Sequence, residues 1–311
     1  MGIDMEVLHA LSALRNPILD GFFLLVTRLG EEFLFMAVAL AVFWCGNKNR
    51  GYFLLVTGFV GTIANQALKL LCRVPRPWVR DTGFEPIAAA KKAATGYSFP
   101  SGHTQVATGL YGGIARTSKR RLVSIGGWVL ALLVGFSRLW LGVHTPSDVL
   151  FSLAFGVILV LLLVPLFRAA ERKPLILYLI AGGMLLLAIL NLLIAESASM
   201  PQNMSLLELH SALVNIAEAQ KNAWSLLGAA LGLPFILFVD ARYLHFDGRA
   251  KPLLQIVKVA LGLFLLFLLK EGLKIPFDAL FGENGIKHAL RYFLVVVFAG
   301  CVYPALFRFL R

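Results

Sequence analysis

Long apolar runs, each closed by a short cluster of charge, proline or glycine, set the pattern of this chain. Runs of about 18 apolar residues read as membrane-spanning helices. The pattern predicts spans near Phe33–Cys45, Tyr52–Cys72, Gly102–Ala115, Leu122–Trp140, Pro146–Phe167 and Pro174–Ala195. Three more follow at Trp224–Val239, Pro252–Leu269 and Ala289–Leu306, after a polar stretch from Glu196 to Asn222. The first run, Pro17–Thr27, is short and interrupted by Asp20; an interfacial helix suits it better than a weak first span. A polar loop at 73–99 opens with Arg73-Val74-Pro75-Arg76-Pro77, where the prolines stop the preceding helix.

Composition agrees with this reading. Of 311 residues 59% are hydrophobic and 15% charged, against about 25% charged in soluble domains. The expected fold is all-α, a polytopic transmembrane bundle. The net charge of +12 follows from Lys and Arg flanking the runs, with anionic membrane lipids as secondary partners, and not from nucleic-acid binding. Cys45, Cys72 and Cys301 are isolated in apolar surroundings and match no metal spacing. Residues 1–15 lack the pattern of a cleaved leader.

If every predicted span crosses once, one face collects Lys48 and Arg50, then Arg116 to Arg121, then Arg168, Arg172 and Lys173. Arg242, Arg249 and Lys251, and finally Arg308 and Arg311, join that face. The positive-inside tendency makes it cytoplasmic. Arg76, Ser101, Arg138 and His144 then meet on the extracytoplasmic face of a cell membrane. The five basic residues of the 73–99 loop run against this count, but part of them belongs to the site itself.

Three clusters converge there: Lys69 with Arg76-Pro77, Pro100-Ser101-Gly102-His103, and Ser137-Arg138 with His144 and Asp148. Taken singly each has a plain explanation: snorkelling cations, a helix cap, a structural histidine. Taken together they compose a phosphate site. Lys69, Arg76 and Arg138 supply cations, and arginine forks match phosphate oxygens. Ser101 and the Gly102 amide stand at a helix start, where free N–H groups favour an anion, and Gly102 permits close approach. Asp148, four residues after His144, orients the imidazole and leaves its other nitrogen free to attack phosphorus. His103 is placed to protonate the leaving oxygen. Three adjacent cations oppose a divalent ion, so neither metal nor other cofactor is expected.

These clusters resemble the three-part motif of the type 2 phosphatidic acid phosphatase superfamily, the lipid phosphate phosphatases, which includes undecaprenyl-diphosphate phosphatases, glucose-6-phosphatase and vanadium haloperoxidases. The resemblance covers roughly residues 50–168 and holds at Lys69, Arg76, Pro77, Pro100, Ser101, Gly102, His103, Ser137, Arg138, His144 and Asp148. It implies a phosphohistidine on His144, acid catalysis by His103, phosphate binding by the other polar residues, and no metal. It also implies a six-helix, haloperoxidase-like core whose first helix is the weak N-terminal segment.

The expected organisation is a phosphatase core at 1–173 and an additional membrane region of unassigned role at 174–311. In the latter, Lys270 to Asp278 faintly echoes Lys69 to Pro77 without the Arg-Pro ending. Glu31 and Glu32 lie at the site face and suit either a cation pair or a helix start. The expected activity is hydrolysis of a lipid phosphomonoester or diphosphate, such as undecaprenyl diphosphate, phosphatidate or phosphatidylglycerophosphate. Two rivals use the same residues: a lipid phosphotransferase with the same intermediate, and a transporter that only holds lipid headgroups. The sequence carries no signal for oligomeric state.

Overall fold

A backbone in hydrocarbon finds no water for its N–H and C=O groups, so it satisfies them within helices. The computed structural model describes residues 2–199 and 206–309, and no strand occurs among them. Seven helical stretches among these residues are long and apolar enough to cross a membrane: Lys48–Arg80, Arg121–Trp140, Pro146–Ala170, Leu175–Glu196, Ala212–Leu244, Pro252–Phe281 and Ile286–Ala305. Arg311 and the side chain of Arg308, counted above on the basic face, lie outside the described residues.

Three runs differ from the sequence expectation. The 33–45 run is helical as Glu32–Cys45, but its 14 residues extend only about 21 Å at 1.5 Å per residue, short of a hydrocarbon core of about 30 Å. The 102–115 run is a 102–117 helix with a π-helical turn at Thr108–Gly112; it too falls short of that thickness. Ser101 caps one end and the Ser118-Lys119-Arg120 turn closes the other. The polar stretch at 196–222 is helical from residue 206, as part of Leu206–Val239. That stretch holds no glycine or proline beyond residue 201 and is rich in Leu, Ala, Glu and Gln, all good helix formers. Residues 200–205 of it lie outside the described residues.

The described chain forms two compact units, neither of them continuous in sequence: Met1–Phe35 with Ala64–Val164 and Ser197–Ala219, and Met36–Ile63 with Pro165–Glu196 and Gln220–Arg311.

In the first unit, helices Ile3–Ala13 and Pro17–Arg28 precede the long helices. Asn16 caps the second of them through Leu19 N at 3.0 Å, and Pro17 occupies its first turn. Its buried residues Phe23 and Val26 join Ala107, Val134, Trp140, Leu141 and Val143 in one apolar cluster. Gly30 lets the following turn close onto the 102–117 helix: a Cβ there would stand 2.7 Å from Val134 Cγ1 and 3.0 Å from the His103 carbonyl. Tyr111 fixes the same contact by donating its hydroxyl to the Leu29 carbonyl at 2.9 Å. The 73–99 loop carries two short helices, Pro77–Arg80 and Ala88–Ala93.

In the second unit small residues bring helices into backbone contact. A Cβ on Gly228 would lie 1.9 Å from the Ala289 carbonyl oxygen, and one on Gly51 would lie 2.5 Å from Phe43 Cα. Isolated polar links add to this packing. Lys48 pairs with Asp240 at 2.7 Å, and Trp44 donates to the Ala299 carbonyl at 2.9 Å.

Candidate active site

The site grows from a helix cap. Thr145 and Asp148 form a reciprocal pair at the start of helix Pro146–Ala170: Thr145 N donates to Asp148 Oδ2 at 2.8 Å, and Asp148 N donates to Thr145 Oγ1 at 3.4 Å. The same carboxylate oxygen accepts from Ser98 Oγ at 2.6 Å and lies 3.4 Å from His144 Nδ1. One step back, Gly142 adopts φ +72° and turns the chain so that Val143 and His144 point inward. No side chain fits at Gly142, since a Cβ would meet Arg15 Nη2 at 2.6 Å and Phe84 Cζ at 2.8 Å. Arg15 braces this loop by donating to the Trp140 carbonyl at 3.0 Å and the Glu85 carbonyl at 2.7 Å.

His144 is 2% exposed. Its Nε2 lies 3.0 Å from Arg76 Nη1. A guanidinium only donates, so Nε2 is the acceptor, and the ring proton belongs on Nδ1 facing Asp148. Burial first, then the charges of Arg76, Arg138, Lys69 and His103, hold the imidazole well below its ordinary range. It is therefore neutral at neutral pH, with a lone pair on Nε2.

The cations surround that lone pair. Arg76 donates from Nε to the Gly96 carbonyl at 3.0 Å, from Nη1 to the Val143 carbonyl at 2.9 Å, and from Nη2 to the Thr95 carbonyl. Lys69 donates to the Tyr97 carbonyl. Arg138 donates from Nη1 to Thr27 Oγ1, while its buried Nε has no partner. Ser101 caps the helix that begins at Gly102; its Oγ accepts from Thr104 N at 3.5 Å and pairs with Thr104 Oγ1 at 2.8 Å. Ser101 N lies 3.4 Å from the Asp148 carbonyl, which ties this cluster to the His144 loop. His103 is within electrostatic reach of Arg138, Arg76 and Lys69. Lys69, Gly102 and His103 are half-buried, whereas Arg76, Ser101, Arg138, His144 and Asp148 are buried. The cluster is thus approached from the side of the first three.

All eight residues singled out in the sequence, Lys69, Arg76, Ser101, Gly102, His103, Arg138, His144 and Asp148, come together in the first unit. Glu31 is close enough to act on Arg138 electrostatically. Sequence reasoning missed Ser98 and Thr27, which hold Asp148 and Arg138, because a lone hydroxyl in a loop or helix carries no signature of a distant partner. It also missed the 95–97 carbonyls, which any residue supplies. No cluster of three or more His, Cys, Asp or Glu residues suited to a metal occurs among the described residues. The echo at 270–278 builds no comparable cradle: Lys270 pairs with neighbouring Glu271 at 3.4 Å, and Asp278 pairs with Lys287 at 3.0 Å.

Residues 50–172 match the family model of the PAP2 superfamily, and residues 224–311 match a model of the PAP2 superfamily phosphatase transmembrane extension. The chain is similar to undecaprenyl-diphosphatase BcrC of Bacillus subtilis, 35% identical over 163 residues, which are 50% of this chain and 77% of that protein. Phosphatidylglycerophosphatase B of the same organism is 28% identical over 169 residues, 50% of this chain and 79% of that protein. A solved transmembrane PAP2-type phosphatidylglycerolphosphate phosphatase from Bacillus subtilis aligns with a TM-score of 0.45 and 26% identity, covering 55% of this chain and 85% of the other.

Proposed function

This chain belongs to the PAP2 superfamily, and we propose that it is a multi-pass membrane phosphatase that hydrolyses a lipid phosphate through a phosphohistidine on His144. The substrate is a phosphomonoester or diphosphate carried on a lipid. Undecaprenyl diphosphate and phosphatidylglycerophosphate lead the candidates because the relatives are named for them.

One observation carries the mechanism: the Nε2 lone pair of a neutral His144 opens onto three cations while Nδ1 faces Asp148. Nε2 attacks phosphorus and the bond from phosphorus to the leaving oxygen breaks. Burial and the neighbouring cations disfavour a charged His103 in the free site, so the bound substrate anion must hold the proton that His103 then gives to that oxygen. Water then attacks the phosphorus, the bond from phosphorus to Nε2 breaks, His103 takes the water proton, and inorganic phosphate departs. Lys69, Arg76, Arg138, Ser101 and the Gly102 amide hold the phosphoryl oxygens through both steps. Asp148 fixes the tautomer and stabilises the ring as it gains charge. Nothing in this sequence of bond changes calls for a metal.

Phosphate release by the purified protein from a panel of lipid phosphates tests the reading. Release is expected for at least one lipid, lost in His144→Ala and His103→Ala, blocked by vanadate and indifferent to chelators. Full activity in His144→Ala overturns the mechanism. Transfer of the phosphate to added lipid or sugar acceptors instead of water would move the protein to the transferases.

If the short helices Glu32–Cys45 and 102–117 also cross, the distribution of basic residues supports an extracytoplasmic site. With the exposed Cys72 replaced by Ser, an impermeant thiol reagent applied to intact cells should label Lys92→Cys and spare Lys119→Cys. The reverse pattern would invert the orientation.

A further inference from the structure

Asn65 stands on helix Lys48–Cys72 one turn before Lys69, so the two side chains share a helix face. It is 4% exposed, and its Nδ2 has no hydrogen-bond partner. Its Oδ1 is the atom nearest the position a Cβ would take on Gly102, at 3.8 Å. The amide therefore borders the approachable side of the cluster, where Lys69, Gly102 and His103 are half-buried. An amide left unpaired in a buried site is costly, and more so where water is scarce. An apolar residue would avoid that cost.

Gln105 gives the contrast. It too is buried, at 2% exposure, with both amide atoms unpartnered. Its Nε2, however, lies 3.5 Å from the Cβ position of Gly156. Gly156 is eight residues past Asp148 on helix Pro146–Ala170, about 12 Å along its axis. The unpaired amide of Asn65 is at the phosphate cradle and that of Gln105 is not.

We propose that Asn65 is a further phosphate-binding residue, whose side-chain NH₂ donates to an oxygen of the bound phosphoryl group beside the Gly102 amide. The inference rests on reading the cluster as a phosphate site. The two amide ends are nearly isosteric, so a half-turn of the side chain brings NH₂ to the Gly102 side. A neutral donor here adds a hydrogen bond to the anion without adding a fourth cation next to His144, which keeps the nucleophile's surroundings unchanged.

The test is a thermal-shift titration of the purified full-length protein in detergent, with orthovanadate and inorganic phosphate as probes, alongside kcat/KM for the active lipid. Asn65→Leu is expected to weaken both probes about ten- to a hundredfold, the worth of a hydrogen bond to a charged group, and to lower kcat/KM by a similar factor. Gln105→Leu is expected to leave both within about twofold. Asn65→Asp should bind the probes poorly at pH 8 and recover relative to wild type as the pH is lowered to about 5, because a protonated carboxyl regains a donor and sheds its charge. A packing defect would show no such recovery. Probe binding by Asn65→Leu equal to wild type overturns the proposal, as do equal losses in Asn65→Leu and Gln105→Leu. His144→Ala keeps the two readings apart: if it still releases phosphate, the phosphohistidine mechanism fails, while the assignment of Asn65 stands or falls on the anion titration.

Discussion

The two units solve the problem of burial in different ways. All but four of the buried polar residues among the described residues belong to the first unit, and most of them touch or support the His144 cluster. The second unit buries Thr57, Asn191, Ser225 and Lys258 and otherwise relies on apolar helices closed by glycine contacts. Polar atoms sealed from water are costly unless paired. The first unit accepts that cost around the proposed anion site, and the second largely avoids it, Asn191 with its unpartnered amide being an exception. Substitutions should accordingly show as lost activity in one unit and as lost stability in the other.

The largest separation is expected from His144→Ala. Loss of the nucleophile should lower phosphate release at least about 10⁴-fold, with little change in thermal stability measured by the same titration that reports anion binding. Gly142→Ala comes next. A left-handed residue costs about 1–2 kcal/mol once it carries a Cβ, and here that atom also strikes Arg15 and Phe84. Displacing the His144 loop by about 1 Å should cost roughly a hundredfold in kcat, read in steady-state kinetics of the folded fraction.

Gly228→Ala probes the other unit. Its new methyl meets the Ala289 carbonyl, and overpacking of this kind costs about 1–3 kcal/mol. The melting temperature should fall while kcat/KM per folded molecule holds. A drop in kcat/KM as large as that of Gly142→Ala would erase the distinction between the units.

The smallest effect is in pH. His144 is held below its ordinary range by burial and neighbouring cations, so the neutral nucleophile persists as pH falls through about 6.5. The acid limb of kcat/KM, corrected for ionisation of the substrate, should lie below that value. Lys69→Met, which removes one of those charges, should move the limb upward. The sign for stability is the reverse of a histidine paired with a carboxylate alone: below about pH 6.5 the unfolded chain takes a proton that the folded one refuses, so stability declines with acid.

Much of the first unit was legible in the chain because its chemistry is local. Asp148 stands three residues after the cap residue Thr145 and four after His144, and Ser101 before Gly102 is a cap as well. Pro77 after Arg76 opens the first turn of a short helix, a position its ring suits. The illegible part depends on approach through space. Ser98 and Thr27 become supports only when distant segments fold onto them, and Gly30 matters because Val134 and His103 arrive beside it. Hydropathy located Glu32–Cys45 to within a residue, but apolar character alone made a span of a helix shorter than the hydrocarbon core. At 206–222 it errs the other way, since polar residues on a helix lower hydropathy without lowering helix propensity.

The carbonyls at 95–97 give the cradle a further property. In this structure Arg76 and Lys69 are already engaged, with Thr95, Gly96, Tyr97 and Val143 as their acceptors. On the proposed reading, an arriving phosphate trades places with peptide oxygens instead of meeting bare charge. Such a trade returns part of the gross attraction, so three cations bind more weakly than their number suggests. The same peptide oxygens are at hand when the reaction ends, ready to reclaim the donors and let inorganic phosphate go. On the proposed mechanism, a cradle built this way turns over instead of trapping its product.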